Sequence, residues 1–234
     1  MPNAIITGAT QGIGKAIAEK LLSEGFSIAV CSRTQTDLDK LEQQWKVQYP
    51  NAEIIVYRAD LTQKQDLQAF AQHVLGRFET IDILVHSAGL FIPGKLMEEA
   101  EGHLESIMDV NLYSVYHLTR AVIHAINRNG KGHIFNMCSV ASLKAYPGGG
   151  SYGISKYALL GFSENLREEL KEERIRVTAL CMGAVYTRSW EGAGIDPERM
   201  MESDDVAQMV WAAYSLSAKA NVETIVMRPI LGDL

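Results

Sequence analysis

The chain has 234 residues, 47% of them hydrophobic and 21% charged, which excludes a disordered polar chain and leaves enough apolar surface for one large α/β domain. Lys plus Arg number 22 against 28 for Asp plus Glu, and the resulting charge of −6 opposes attraction to phosphate polymers or anionic lipid, so neither nucleic acid nor membrane is an expected partner. Cys31, Cys138 and Cys181 lie far apart inside apolar runs, as free thiols do in a reducing cytoplasm; no apolar run reaches the roughly 18 residues of a membrane span, and an apolar strand close behind Met1 leaves no room for a signal peptide.

Short β-rich runs alternate with amphipathic stretches along the chain. Ala4 to Thr7 reads as the first strand, and Thr7-Gly8-Ala9-Thr10-Gln11-Gly12-Ile13-Gly14 follows it directly, ahead of a helix with Ile13, Ile17 and Leu21 on its apolar face. A glycine loop between strand and helix lets the backbone approach a pyrophosphate and aims helix N–H groups at it; without a ligand it is only a tight turn. The second strand, Ser27 to Cys31, ends in Ser32-Arg33-Thr34. An NAD-binding domain usually offers a carboxylate to the ribose here, whereas an arginine and two hydroxyls suit a 2′-phosphate, so NADP(H) is the expected cofactor. Thr34, with Asp37 after it, reads as the N-cap of a helix carrying Leu38 and Leu41. The third strand, Glu53 to Tyr57, leads to Arg58-Ala59-Asp60-Leu61. There Asp60 either accepts from an adenine amino group or caps the helix bearing Leu67, Phe70 and Val74; both readings stay open.

The fourth strand, Asp82 to His86, runs into His86-Ser87-Ala88-Gly89, and Asn111 lies in the helical stretch beyond. The fifth strand, His133 to Cys138, is followed by Ser139. Of nine tyrosines only Tyr152 has a lysine four residues on, and Tyr152-Gly153-Ile154-Ser155-Lys156 opens the helix before the sixth strand, Ile175 to Cys181. Spacing of four puts both side chains on one helical face, where an ammonium stabilises a phenolate and brings proton transfer closer to neutral pH. Gly183 to Ser203 has no periodicity and reads as a functional loop or lid between the sixth strand and a helix starting near Asp204. Val222 to Met227 is the seventh strand. This alternation, with strands apolar on successive residues, predicts a doubly wound parallel sheet of seven strands with helices on both faces, in one domain.

With these motifs in this order, the sequence resembles the short-chain dehydrogenase/reductase family over nearly its whole length. The resemblance rests on Gly8, Gly12 and Gly14, on Asp60, Ala88-Gly89, Asn111 and Ser139, and on the Tyr152/Lys156 pair. It implies a Rossmann domain in which Tyr152 is the general acid/base, Lys156 lowers its pKa and binds the nicotinamide ribose, Ser139 bonds the substrate oxygen and Asn111 holds a water in a proton relay. Two positions depart from the family pattern: His86-Ser87 stands where Asn-Asn is common, with Ser87 able to replace part of the lost bonding, and Met182-Gly183 where Pro-Gly is common, so that the turn loses a fixed φ. Ser32-Arg33-Thr34, Gly183-Ala184-Val185-Tyr186-Thr187, Trp190 and the tail from Arg228 to Asp233 are similar to bacterial sepiapterin-reductase-like members.

The candidate catalytic residues are therefore Asn111, Ser139, Tyr152 and Lys156. The candidate cofactor contacts are Gly8, Thr10, Gln11, Gly12, Ile13, Gly14, Ser32, Arg33, Thr34, Asp60, Leu61, Ser87, Ala88, Gly89, Tyr152, Lys156, Gly183, Val185 and Thr187. The candidate substrate contacts are Ser139, Tyr146, Tyr152 and Trp190. The six histidines show no metal-ligand spacing, and no metal is expected. Met200 and Met201 either line the lid's pocket or pack. Surplus apolar residues around Asn111 to Ile126 and Ser151 to Lys171 predict a homodimer or homotetramer. The function read from these features is NADPH-dependent reduction of a small carbonyl or diketone, a sepiapterin-like side chain included. The alternatives are reduction of a 3-oxoacyl carrier-protein thioester and a non-catalytic NADP-binding sensor.

Overall fold

The computed structural model describes every residue except Glu191, Ala193 and Leu234, two of which fall in the expected lid. Seven strands form one parallel sheet: β1 (Asn3–Thr7), β2 (Ser27–Ser32), β3 (Ile54–Arg58), β4 (Ile83–His86), β5 (His133–Ser139), β6 (Arg176–Met182) and β7 (Thr224–Met227). Their order is β3-β2-β1-β4-β5-β6-β7. From β1 the chain winds one way to β2 and β3 and then the other way to β4 and beyond, and at such a switch point the loops leaving the carboxyl ends part and open a crevice.

The helices are α1 (Gly12–Ser23), α2 (Gln35–Gln48), α3 (Lys64–Leu75), α4 (His103–Met108), α5 (Ser114–Val122), α6 (Gly150–Leu170) and α7 (Ser203–Tyr214). Both sheet faces are covered, which is why the strands read as unbroken apolar runs. Ala4 and Ile6 of β1 face Ile17, Leu21, Leu38 and Val206, whereas Ile5 between them faces Leu67, Phe70 and Leu118. Ala4, Ile5 and Ile6 have no exposed surface at all.

Thr34 stands at the N-cap position of α2, but its side chain makes no capping bond; its carbonyl accepts from Leu38 N instead at 3.3 Å. All three cysteines are buried and free. From Gly183 to Glu202 the chain is not featureless. It carries single 3₁₀ turns at Arg188–Trp190 and Pro197–Arg199 and a parallel bridge between Val185 and Met201. Met200 is buried and Met201 packs on the same core, so packing takes both of the methionines offered for the pocket.

Candidate active site

The glycine loop is shaped by what cannot fit in it. Gly8 and Gly12 adopt φ of +67° and +55°. A Cβ on Gly8 would lie 2.8 Å from the Ala88 backbone, and one on Gly14 would lie 2.3 Å from the Gly8 carbonyl. These contacts bring Ala88 against the loop and fold it over the first turn of α1, where Gln11 is the N-cap residue and supplies no side-chain cap. The orphan N–H groups there, beside Thr10, Gln11 and Ile13, suit a pyrophosphate. Thr187 closes the other side, its methyl 2.9 Å from where a Gly12 Cβ would stand.

At the carboxyl end of β2, Arg33 is exposed and Ser32 accepts from Thr34 N at 3.3 Å. A second cation sits here that its neighbours in sequence do not point to. Arg58 is the register partner of Ser32, and its Nε donates to the Arg33 carbonyl at 3.3 Å. Two guanidinium groups beside two hydroxyls make a donor set suited to a phosphate monoester. Asp60 does not cap α3, whose N-cap is Gln63. Its Oδ1 accepts from Thr62 N at 3.0 Å and Thr62 Oγ1 at 2.9 Å, and the backbone bond, helped by Arg33, holds the carboxyl below its usual range. Leu61 packs against the core on the α3 face.

His86 is buried at the end of β4, with Nε2 2.8 Å from Thr119 Oγ1, and burial pushes its pKa down to about 3. Ala88 N donates to Thr7 Oγ1 at 3.3 Å, tying this turn back to β1. Gly89 faces Asn111 Oδ1 and Lys156 Nζ, each 3.7 Å from its would-be Cβ. Asn111 lies in a π-helical turn, Asp109–Tyr113, between α4 and α5, the kind of bulge that re-aims a side chain inside a helix. Its Oδ1 accepts from Leu90 N at 2.7 Å, while Nδ2 donates to Leu90 O at 3.0 Å and Ser155 Oγ at 2.9 Å. Both amide protons are thus spent on the protein.

Ser139 ends β5, where its Oγ accepts from Ala141 N at 3.1 Å. Tyr152 rises from the first turns of α6 beside it. Burial raises the Tyr152 pKa, and the hydrogen bond with Ser139 pulls it back. Lys156 is buried, with Nζ donating to Met137 O at 2.8 Å and standing 5.6 Å from the centre of the Tyr152 ring. Desolvation lowers its pKa, opposed by the sulfurs of Cys138 and Cys181, which face each other across β5 and β6. Ser139, Tyr152, Lys156 and Asn111, more than 40 residues apart at the extremes, therefore meet at one strand end.

An aromatic wall surrounds this end. The Phe91 ring meets Tyr152 edge-on at 4.8 Å and lies 6.3 Å from the Trp190 ring. Tyr146 is near enough to Tyr152 for their phenols to interact. Phe91 went unnoticed in the sequence because nothing periodic surrounds it; its place just past Ala88-Gly89 was the available signal. Gly183 N donates to Met227 O at 2.8 Å and Asp233 and Pro229 pack against it, so the turn lacking proline is held by the tail. Val185 is buried in the core beside it.

Residues 2–197 match the family model described as short chain dehydrogenase. The sepiapterin reductase of Chlorobaculum tepidum is 32% identical over 240 residues, covering 98% of this chain and 97% of that one. A diacetyl reductase [(S)-acetoin forming] of Staphylococcus epidermidis is 30% identical over 217 residues, covering 92% of this chain and 82% of its own. Among solved structures, an alcohol dehydrogenase of the archaeon Thermococcus sibiricus complexed with 5-hydroxy-NADP superposes with a TM-score of 0.89 at 28% identity, covering 98% and 97% of the two chains. The matched span holds the glycine loop, the serine at the end of β5 and the tyrosine and lysine of α6, and the chain belongs to the short-chain dehydrogenase family.

Proposed function

We propose that the protein reduces a small ketone or vicinal diketone to the alcohol with NADPH. The observation that carries this reading is the meeting of Ser139, Tyr152 and Lys156 at the carboxyl end of β5, beside the crevice that the glycine loop opens. NADPH, when bound, supplies a hydride. The residues of the chain do the rest. Gly8, Gly12 and Gly14 admit the pyrophosphate, and Arg33, Arg58 and Ser32 hold the 2′-phosphate. Ser139 donates to the substrate carbonyl oxygen, and Tyr152 delivers its phenolic proton to the same oxygen. Burial keeps Tyr152 protonated well past neutral pH, the form that reduction requires. Lys156 places a buried cation behind the ring, which stabilises the phenolate left by proton transfer. The Phe91, Trp190 and Tyr146 rings, with the Gly183 to Ser203 segment as a lid, cover a flat or apolar substituent and exclude water.

The relatives that reduce sepiapterin and diacetyl support a small carbonyl compound over a carrier-protein thioester. So does the surface charge. Of the cations on this surface, Arg128 is paired with Glu173 at 2.7 Å, and Arg120 lies over the Tyr116 ring. The deciding measurement is kcat/KM for sepiapterin and diacetyl beside an acetoacetyl carrier-protein thioester. The diketones are expected to be preferred, and a clear advantage for the thioester overturns the reading.

For the cofactor, Arg33→Ala should raise the Kd for NADPH about tenfold, the loss of a hydrogen-bonded charge contact, with little effect on NADH. Arg58→Ala should act in the same direction and more weakly. Fluorescence titration with both cofactors checks this, and equal weakening of NADH rejects the phosphate assignment. The π-helical turn and the outer faces of α5 and α6 carry exposed Tyr113, Tyr116, Ile154 and Tyr157, and Tyr113 and Tyr116 line a groove of about 440 Å³ with Leu112, His117, Ala158 and Phe162. An apolar face of this kind supports a homodimer or homotetramer. Light scattering at micromolar concentration should give at least twice the chain mass, and Tyr116→Glu should lower it.

A further inference from the structure

We infer that Glu99 is a positioning residue for this reaction: it clamps the loop that carries Phe91 onto the start of α6, the helix that carries Tyr152. The inference rests on the assignment of Tyr152 as the proton donor.

The need for a clamp begins with α6 itself. This helix has 21 residues, starts at Gly150, and has Gly149 at its N-cap, which has no side chain to satisfy the first N–H groups. The missing cap arrives from about 50 residues upstream. Glu99 Oε1 accepts from Ser151 N at 2.9 Å, and Oε2 accepts from the Ser151 hydroxyl. Ser151 is buried and immediately precedes Tyr152. A carboxylate at this end also complements the helix dipole, and the two Ser151 bonds hold it below the usual carboxylate range.

The backbone around the clamp is cut to fit it. Gly150 adopts φ of +44°. A Cβ there would lie 2.1 Å from Glu99 Oε1 and 2.6 Å from the Gly94 carbonyl, so any other residue would evict the carboxylate. Gly94 N donates to Gly148 O at 3.0 Å, a second stitch between the same two segments. A Cβ on Gly94 would in turn meet the Glu99 side chain at 3.0 Å. Between the glycine-rich start of α6 and the segment from Gly89 to Glu99 there are thus three bonds, all at the end of the loop opposite Asn111. Asn111 pins the loop's other end through both polar groups of Leu90.

Phe91 lies between these two anchors. Its ring is exposed on one side and meets Tyr152 edge-on on the other. With both ends fixed, Phe91 keeps one distance from the phenol, and the substrate carbonyl is held against the proton donor. Without Glu99 the far end keeps only the Gly94–Gly148 backbone bond, and the aromatic wall can move away from Tyr152. That loss falls on substrate positioning. The glycine loop and the arginines that hold the cofactor are untouched, and Ser139, Tyr152 and Lys156 remain.

The test is Glu99→Ala beside Glu99→Gln. Glutamine keeps an oxygen for Ser151 N and brings an amide that donates to the Ser151 hydroxyl, so it remakes both bonds without the charge. Glu99→Ala should raise KM for the preferred diketone about tenfold while kcat stays within about threefold of wild type and the NADPH Kd is unchanged, the pattern of a lost positioning contact. Glu99→Gln should recover KM to within about threefold. Hydrogen exchange reads the clamp without activity: the Gly94 and Ser151 amides should exchange at least tenfold faster in Glu99→Ala and near the wild-type rate in Glu99→Gln. An unchanged KM, unchanged exchange, or a fall in kcat and NADPH affinity alongside the rise in KM overturns the proposal. Failure of the Tyr152 assignment would show differently, as normal turnover by Tyr152→Phe, with the exchange result standing.

Discussion

Tyr152→Phe should lower kcat by about 10²- to 10⁴-fold, the contribution of a positioned general acid, and leave the NADPH Kd within about twofold of wild type. The substitution removes one oxygen and keeps the ring that meets Phe91 edge-on, so the wall and the start of α6 are preserved. What disappears is the proton and the Ser139 bond. Stopped-flow or steady-state oxidation of NADPH with diacetyl measures the loss, and near-normal turnover would assign the acid elsewhere. The same group sets the pH dependence of the two directions. Tyr152 is raised above its ordinary value by burial, so reduction, which consumes the protonated form, should be flat through neutral pH and decline only in strong alkali. Alcohol oxidation needs the phenolate and should rise with pH over the same range. A reduction rate that falls between pH 7 and pH 8 would contradict this assignment.

Acidification should destabilise the protein before its carboxylates titrate, through His86. Its pKa falls from an ordinary 6.5 to about 3 because burial disfavours the cation, with Thr119 as its partner. The unfolded chain binds the proton more readily than the folded one, so the stabilising effect is complete above about pH 6.5 and is lost as pH falls toward 3. At pH 5 the expected loss is about 2 kcal/mol from this one group. His133 is also shifted down by burial and adds in the same direction. Asparagine, common in the family at position 86, can bond Thr119 and does not titrate. His86→Asn should therefore shrink the fall in Tm between pH 7 and pH 5 by about 4 to 8 °C. Identical acid sensitivity in the variant and the parent would place the titrating group elsewhere.

The strands were legible because burial on both faces writes itself as consecutive apolar residues, and runs such as SIAVC and HIFNMC admit little else. The Tyr152/Lys156 pair and the glycine loop were legible because each is local, with its spacing set by one helix or one turn. Arg58 was in plain view and passed over, since its value comes from being opposite Ser32 in register, a fact of the sheet and not of its neighbours in sequence. Glu99 belongs to the same class. It acts on Ser151 across 52 residues, and the acidic run around it reads as a solvated face. The role implied for Asn111 also met something no sequence shows, the π-helical turn that aims its amide at Leu90 and Ser155. The cap expected of Thr34, and the capping reading left open for Asp60, were decided by geometry too: both are cap-type residues at helix approaches, and in neither case does the side chain cap the first turn.

The place of β1 in the interior of the sheet has a consequence for how the chain is made. Its neighbours are β2 and β4, and the second pairing joins Ala4 to Ile83 and Thr7 to His86, while Asn3 N bonds the Asp82 carboxylate across 79 residues. During synthesis at roughly 5 to 20 residues per second, one edge of β1 waits about 4 to 16 s for its partner to be added. Over that interval Ala4, Ile5 and Ile6 present an unpaired apolar edge that local contacts cannot close, since parallel pairing needs the intervening crossovers first. The emerging chain is thus most vulnerable to misassociation before residue 86 has left the ribosome, and a nascent fragment ending short of β4 should aggregate or engage chaperones where one extending beyond it does so less.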